Sequence, residues 1–109
     1  MQLDLIEAAA RRDLGMARAQ LGAERKEPGW TENAVNLLRA FADRQDEPFL
    51  AETFVRHCEG PPGLLPAPKD GRAWGPVFQV AARRGFVVRA GYAPAVTSNL
   101  SPKPLWRRA

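Results

Sequence analysis

Residues 70–92 read DGRAWGPVFQVAARRGFVVRAGY and carry the clearest structural pattern in the chain. Apolar side chains recur there at i, i+3, i+4, i+7 and i+8, the spacing of one helix face: Trp74, Val77, Phe78, Ala81 and Ala82. The pattern predicts a helix that is capped by Asp70 and ends at Gly85, after two arginines that suit the negative end of the helix dipole. Residues 86–92 are rich in β-branched and aromatic side chains, which predicts that a strand follows directly.

Pro76 interrupts this pattern, because a proline inside a helix removes a hydrogen bond and clashes with the preceding turn. Two geometries are compatible with it. Either the regular helix begins near Trp74 with Pro76 in its first turn, or the helix is bent at Pro76. In both cases Trp74 lies on the apolar stripe, and we expect it in the core.

The C-terminal residues predict a second strand. Small and polar residues and prolines occupy positions 93–103 and indicate a loop, whereas residues 104–108, around Leu105 and Trp106, indicate a return strand. The two strands are expected to pair as a hairpin with a long connection. An indole at Trp106 could stack on a nucleic-acid base, but we expect this side chain in the core.

The N-terminal residues 2–25 predict a long helix. One stripe of it is apolar at steps of three or four residues: Leu3, Ile6, Ala10, Leu14, Ala17 and Leu21. This stripe could pack on the rest of the domain or on a copy of itself. Pro28 and Gly29 are expected to end the helix, because neither continues it.

Two shorter helices are predicted between the long N-terminal helix and residues 70–92. The first starts after Thr31 as its N-cap, with Trp30 and Val35 forming a hydrophobic staple. The second spans residues 49–58. Residues 60–68 contain four prolines and therefore predict a loop, whose two leucines are expected to fold back on the core.

Composition limits the class of protein. A chain of 109 residues is long enough for one small domain, which we divide into an N-terminal helix at 1–27 and a domain at 28–109. No run of eighteen apolar residues is present, so no membrane span is predicted, and no apolar segment of a secretory signal is recognisable. The single cysteine, Cys58, fits a reducing compartment, and we expect a cytoplasmic protein.

Charge is divided unevenly along the chain. From residue 61 onward eight Lys/Arg face one acid, a formal charge of +7, whereas residues 1–60 carry eight Lys/Arg and eleven acids, a formal charge of −3. Such a division indicates that one end of the molecule meets a polyanion or an acidic partner.

The predicted element order is that of a mainly α protein with a small β-hairpin, an α+β winged helix-turn-helix with an extra N-terminal helix. Such folds place a recognition helix in the major groove and a hairpin wing along the backbone or minor groove. Residues 70–84 would be the recognition helix and residues 86–108 the basic wing. The candidate nucleic-acid-binding residues are Arg72, Gln79, Arg83 and Arg84 on the helix and Arg89, Lys103, Arg107 and Arg108 on the wing.

The sequence does not predict an enzyme. His57 and Cys58 are adjacent and therefore poorly placed to act as base and nucleophile in one site. One His and one Cys cannot assemble a zinc site without carboxylates, and no phosphate-binding loop or dinucleotide fingerprint is present. The acids between Asp43 and Glu59 match no metal-binding spacing and are interpreted as a solvated face. We expect no catalytic residue, metal or cofactor.

Several short motifs resemble small winged helix-turn-helix proteins encoded by phages and prophages. The motifs are RDLGMAR at 12–18, RAWG at 72–75, Phe78, AARRG at 81–85, GYAP at 91–94 and WRR at 106–108. The resemblance covers most of the chain and implies a small DNA-associated or host-modulating protein in a bacterial cell.

Two functions therefore remain open. The first is non-enzymatic binding of double-stranded DNA, with phosphate contacts from the basic residues and base contacts from Arg and Gln. The second is a protein-interaction module that inhibits or modulates a host defence or replication enzyme by gripping an acidic surface of it. In either case the N-terminal stripe could form a homodimer.

Overall fold

The computed structural model describes residues 2–109, without the side chains of residues 2–4 and of Ser98. Leu3, the first member of the predicted N-terminal stripe, thus lies outside the described side chains. The described chain is mixed α+β, with four α-helices and a three-stranded antiparallel sheet. The helices are α1 (Gln2–Lys26), α2 (Trp30–Asp43), α3 (Ala51–Glu59) and α4 (Trp74–Arg83), and the strands are β1 (Phe49–Leu50), β2 (Val87–Ala95) and β3 (Ser101–Arg108).

The sheet has the strand order β1-β3-β2, so it is larger than the predicted hairpin. Phe49 lies opposite Trp106 in β3, where its buried ring also meets Phe41 at 4.9 Å between centroids. The prediction that the third helix begins at residue 49 was therefore wrong, and α3 begins at Ala51. The error has a physical cause. A strand of two residues is too short to show an alternating pattern, and its partner strand lies more than fifty residues away in the sequence.

The hairpin is also longer than predicted, because β2 and β3 continue through residues that were predicted to be a loop. Their connection is only residues 96–100. Pro94 lies opposite Pro102 in the ladder. Prolines are tolerated there because β2 is an edge strand and β1 pairs with β3 only at Leu105 and Trp106, so this part of the hairpin has solvent on its outer sides.

One aromatic cluster joins the helices to the sheet. Trp30 of α2 packs edge-on against Trp74 of α4 at 4.9 Å between ring centroids, and Phe78 of α4 lies 5.2 Å from Trp106 of β3. Trp74 and Trp106 are only 6% and 8% exposed, so the expectation that both indoles are in the core is confirmed. Aromatic pairs of this kind add to the stability supplied by burial.

The proline at position 76 lies in the first turn of α4, which confirms the first of the two geometries considered for it. The N–H groups of a first helical turn have no partner within the helix, so the proline costs no hydrogen bond there. Asp70 caps a short 3-10 turn, Gly71–Ala73, that leads into α4. The predicted Asp70 cap therefore acts on this turn and not on α4 itself.

The N-terminus of α2 is held by Glu24 of α1 and not by Thr31, so the predicted N-cap was wrong. The helix begins at Trp30, after Gly29 with a φ of 84°. The carboxylate of Glu24 accepts hydrogen bonds from the backbone N–H groups of Gly29 at 3.0 Å and Thr31 at 2.7 Å. These bonds lower the pKa of Glu24, with the Thr31 N–H as the larger cause.

The loop before α4 is anchored on the core from two sides. Trp30 Nε1 donates a hydrogen bond of 2.9 Å to the carbonyl oxygen of Pro66. Leu65, the residue before Pro66, is buried in the core. Leu64 remains 42% exposed, so only one of the two leucines folds back on the core.

The face by which α1 packs on the domain is not the predicted apolar stripe. From residue 5 onward, the buried residues of α1 are Gly15, Ala19 and Ala23, which lie one helix turn apart and opposite the stripe. Small residues allow close approach there: a Cβ on Gly75 of α4 would lie 2.6 Å from Met16 Sδ, and a Cβ on Gly15 would collide with the guanidinium of Arg72. The described residues contain no helix that is both long and apolar enough to cross a membrane.

Candidate nucleic-acid interface

A groove of about 530 Å³ lies between the C-terminal half of α4 and the start of β2. We call it the α4–β2 groove. Its lining residues are Gln79, Ala82 and Arg83 of α4, Val87, Val88 and Arg89 of β2, and Trp106 of β3. Three of the eight predicted nucleic-acid-binding residues, Gln79, Arg83 and Arg89, thus meet in one place.

Local sequence explains why the helix and the strand face each other. The apolar stripe of α4 turns toward the core, which leaves Gln79 and Arg83 on the opposite side. Gly85 then adopts a φ of 77°, and the Phe86 N–H donates to the carbonyl oxygen of Ala81 at 2.9 Å, as in a glycine-terminated helix end. This turn reverses the chain, so that β2 runs back beside α4.

The groove combines positive charge with an apolar wall. The guanidinium of Arg89 lies 5.6 Å from the ring centroid of Trp106, its partner in the strand register, and a cation in this position is attracted by the indole face. Among the described side chains, no carboxylate lies within 4.0 Å of Arg83 or Arg89. The two arginines therefore present uncompensated charge to the groove.

Two further basic residues extend this charge along the end of the sheet. Arg107 and Arg108 are exposed, and they lie opposite Val88 and Val87 in the strand register. Successive side chains of a strand point to opposite faces of the sheet. Arg108 therefore shares the face of Trp106, which lines the groove, whereas Arg107 lies on the other face. Lys103 lies farther along the hairpin, in a separate groove of about 190 Å³ that also contains Glu52.

Arg84 contributes to the fold and not to the groove. Its guanidinium donates to both carboxylate oxygens of Glu32 in α2, with Nη1 at 2.9 Å from Oε2. Hydrogen bonding in this pair raises the pKa of Arg84 and lowers the pKa of Glu32. The pair links the C-terminus of α4 to the N-terminus of α2, and much of the charge of Arg84 is neutralised there.

Arg72 is likewise engaged elsewhere. It precedes α4, its Nε lies 3.1 Å from each carboxylate oxygen of Asp70, and its guanidinium rests against Gly15 of α1. Hydrogen bonds from Arg72 lower the pKa of Asp70 to about 2. The prediction that Arg72 lies on the same helix as Gln79 and Arg83 was therefore wrong, because α4 begins two residues after it.

The helix α1 lies across the N-terminal turn of α4. Met16 contacts Gly75, and Pro76 is buried. A second groove of about 270 Å³ between the two helices includes Asp13 on the α1 side and Arg83 on the α4 side. The free face of α4 is thus restricted to its C-terminal half.

The tip of the β2–β3 hairpin is tied to α3, a feature that the sequence did not reveal. Glu52 accepts hydrogen bonds from the backbone N–H groups of Val96 at 2.9 Å and Thr97 at 3.0 Å. These bonds lower the pKa of Glu52, the Thr97 backbone N–H being the largest cause. A carboxylate in an acidic stretch gives no signal of a partner 44 residues away.

The single cysteine is unsuited to nucleophilic chemistry. Cys58 is fully buried, and this burial raises the pKa of its thiol to about 12, whereas a nucleophilic cysteine requires the thiolate. His57 faces away from the core interior, with its ring 4.9 Å from that of Phe41. Among the described residues, no three metal-ligating side chains are grouped together.

Comparison with known proteins gave no match of any kind: none with a protein-family model, none with a curated protein and none with a solved structure.

Proposed function

We propose that this protein is a non-enzymatic winged helix-turn-helix protein of phage type that binds double-stranded DNA through the α4–β2 groove and through Arg107 and Arg108 at the end of the sheet. The observation that carries the proposal is the convergence of Gln79, Arg83 and Arg89 on one groove without a carboxylate partner among the described side chains.

The architecture supports this proposal. Three helices, α2, α3 and α4, are followed by a hairpin, and the short strand β1 joins that hairpin in the order β1-β3-β2. In a winged helix, α4 would be the recognition helix and the β2–β3 hairpin the wing. The helix α1 would be an addition to this plan.

The position of α1 determines the mode of binding that we propose. Because α1 covers the first turn of α4, the N-terminal end of the helix is not free to enter a major groove. The DNA contacts are therefore assigned to the C-terminal half of α4 and to the sheet. Arg83, Arg89, Arg107 and Arg108 would neutralise phosphates, and Gln79 has the side chain suited to an adenine edge.

A titration of fluorescent duplex DNA at increasing salt tests the proposal. Four phosphate contacts correspond to a slope of about −3.6 in log affinity against log salt. The variant R83E/R107E should lose binding at physiological salt, because two attractions become repulsions. The variant R25E/R44E, which carries the same change in charge on exposed arginines outside the groove, should lose much less.

Absence of binding to any duplex at low salt would exclude DNA as the ligand and favour the second candidate, a protein-interaction module acting on an acidic surface of a host enzyme. One observation favours that candidate. Three large apolar side chains of the hairpin, two of them at its tip, are strongly exposed: Tyr92 at 64%, Val96 at 74% and Leu100 at 65%.

A further inference from the structure

The outward face of α1 is an apolar stripe that the domain leaves uncovered. Ile6, Leu14 and Leu21 are 65%, 50% and 56% exposed, and Ala10 and Ala17 between them are exposed as well. The domain packs on the opposite side of the helix, against Ala19 and Ala23. Large apolar side chains along one exposed helix face are typical of an interaction surface.

Residues 10–21 of the stripe have the spacing of a coiled coil, whereas Ile6, four residues before Ala10, lies outside this alternation. Ala10, Leu14, Ala17 and Leu21 follow one another at steps of four, three and four residues, the alternation of a heptad seam. Leu14 and Leu21 then occupy position a, and the two alanines occupy position d. Asp13 falls at the flanking position g, and Arg11 and Arg18 at the flanking position e.

We propose that α1 pairs through this stripe with α1 of a second copy of the chain, in parallel and in register. The charged residues that flank the stripe favour a second copy of the chain as the partner and a parallel orientation of the two helices. In a parallel pair, position g faces position e of the next heptad on the other helix, so Asp13 faces Arg18 of the partner subunit, twice by symmetry. In an antiparallel pair, e faces e, and Arg11 would meet Arg18 of the partner subunit.

Leu14 and Leu21 lie on the side of α1 opposite Ala19 and Ala23, which pack on the domain, so the two domains would lie on the outer sides of the helix pair. Ala17, at one edge of the stripe, also lines the groove between α1 and α4. Alanine at d lets the helices approach closely around the Leu14 and Leu21 layers. The inference does not rest on the proposed DNA binding, since none of the stripe residues lines the α4–β2 groove.

Sedimentation equilibrium with matched variants tests whether the stripe is an interface. We expect the wild type to approach twice the mass of one chain with rising concentration and L14K/L21K to remain at the mass of one chain. Leu5 is 72% exposed on the same helix but lies off the stripe, so L5K should still dimerise. A monomeric wild type, or equal loss in L5K, would overturn the proposal, and circular dichroism verifies that each variant keeps its helices.

Charge exchange tests the orientation. In the parallel pair, D13R and R18D should each weaken the dimer, and D13R/R18D together should restore it, because the ion pairs form again with reversed signs. In an antiparallel pair, R18D would face Arg11 and strengthen the dimer, which would overturn the parallel assignment. With dissolved oxygen as the oxidant, the variant L14C should also form a disulfide across the parallel seam, whereas buried Cys58 stays unreacted.

Discussion

Glu52 shows how much a single residue can organise in this protein. Its carboxylate is the only described side chain that hydrogen-bonds the backbone of the hairpin tip, where Asn99 and Leu100 adopt φ values of 52° and 65°. Positive φ is unfavourable for most residues other than glycine and asparagine, so the strain lies chiefly at Leu100. The carboxylate thus helps to hold a tip whose backbone is not in its most favourable conformation.

We expect E52A to loosen the hairpin tip without unfolding the domain. The N–H groups of Val96 and Thr97 lose their acceptor, so their amide hydrogen exchange should accelerate, while exchange in α2 and α4 stays slow. The variant E47A removes an exposed acid that has no hydrogen bond to the tip and serves as the control. Unchanged exchange at Val96 and Thr97 in E52A would show that the tip is held by other contacts.

At the scale of elements, the attachment of α1 depends on small residues. Ala19 and Ala23 are 6% and 4% exposed, and Gly15 and Gly75 permit close contact with neighbouring side chains. Close packing of this kind leaves no volume for a larger side chain. This contact of small residues, which we call the α1 seam, places α1 over α4 and thereby restricts the candidate interface.

We expect A19L to lower the free energy of unfolding by roughly 1–3 kcal/mol, the usual cost of inserting extra methylene groups into a packed contact. The variant A8L makes the same change at an exposed position of the same helix and should change stability little. Urea denaturation of both variants provides the measurement. Equal midpoints for A19L and A8L would mean that α1 is not packed through this seam.

At the scale of the whole molecule, four carboxylates with lowered pKa values hold parts of the fold together, either by joining two elements or by capping the turn that leads into a helix. Glu24 joins α1 to α2, Glu32 joins α2 to α4, Glu52 joins α3 to the hairpin, and Asp70 caps the turn before α4. The pKa of each is lowered by hydrogen bonds in the folded state. The fold therefore stabilises the charged form of all four.

This arrangement predicts acid sensitivity with a definite sign. A group whose folded-state pKa lies below its unfolded value stabilises the fold fully above the unfolded value, and loses that contribution as the pH falls through the folded one. The ordinary values are 4.5 for the glutamates and 3.8 for Asp70, which falls to about 2. Melting temperature should therefore be steady above about pH 5 and decline toward pH 2.

The variant E24Q separates this effect from general acid denaturation. At pH 7 it should melt below the wild type, because the amide accepts the N–H groups of Gly29 and Thr31 less strongly than the carboxylate. The two proteins should converge as acid protonates Glu24 in the wild type. A constant difference as the pH falls would exclude the Glu24 carboxylate charge as the cause.

Much of the helical framework could be predicted from the sequence because it depends on local periodicity. The apolar stripe from Trp74 to Ala81 identified α4, and Gly85 marked the turn that leads into β2. These signals extend over neighbouring residues, and a helix or turn forms mainly from such neighbours. The distribution of charge toward the C-terminal half was likewise a property of the sequence.

Only the tertiary structure decided how these parts are used. Arg83 and Arg84 are adjacent and chemically identical, yet Arg83 lines the α4–β2 groove and Arg84 pairs with Glu32, 52 residues away. Partners distant in the chain also determine three other features. These are the strand β1, the hydrogen bonds from the hairpin tip to Glu52, and the face of α1 that packs on the domain. Sequence periodicity predicts which side of a helix or strand is apolar. Which other element packs against that side depends on the packing of the whole chain. In α1 that packing favoured the small-residue side and left the larger apolar stripe exposed.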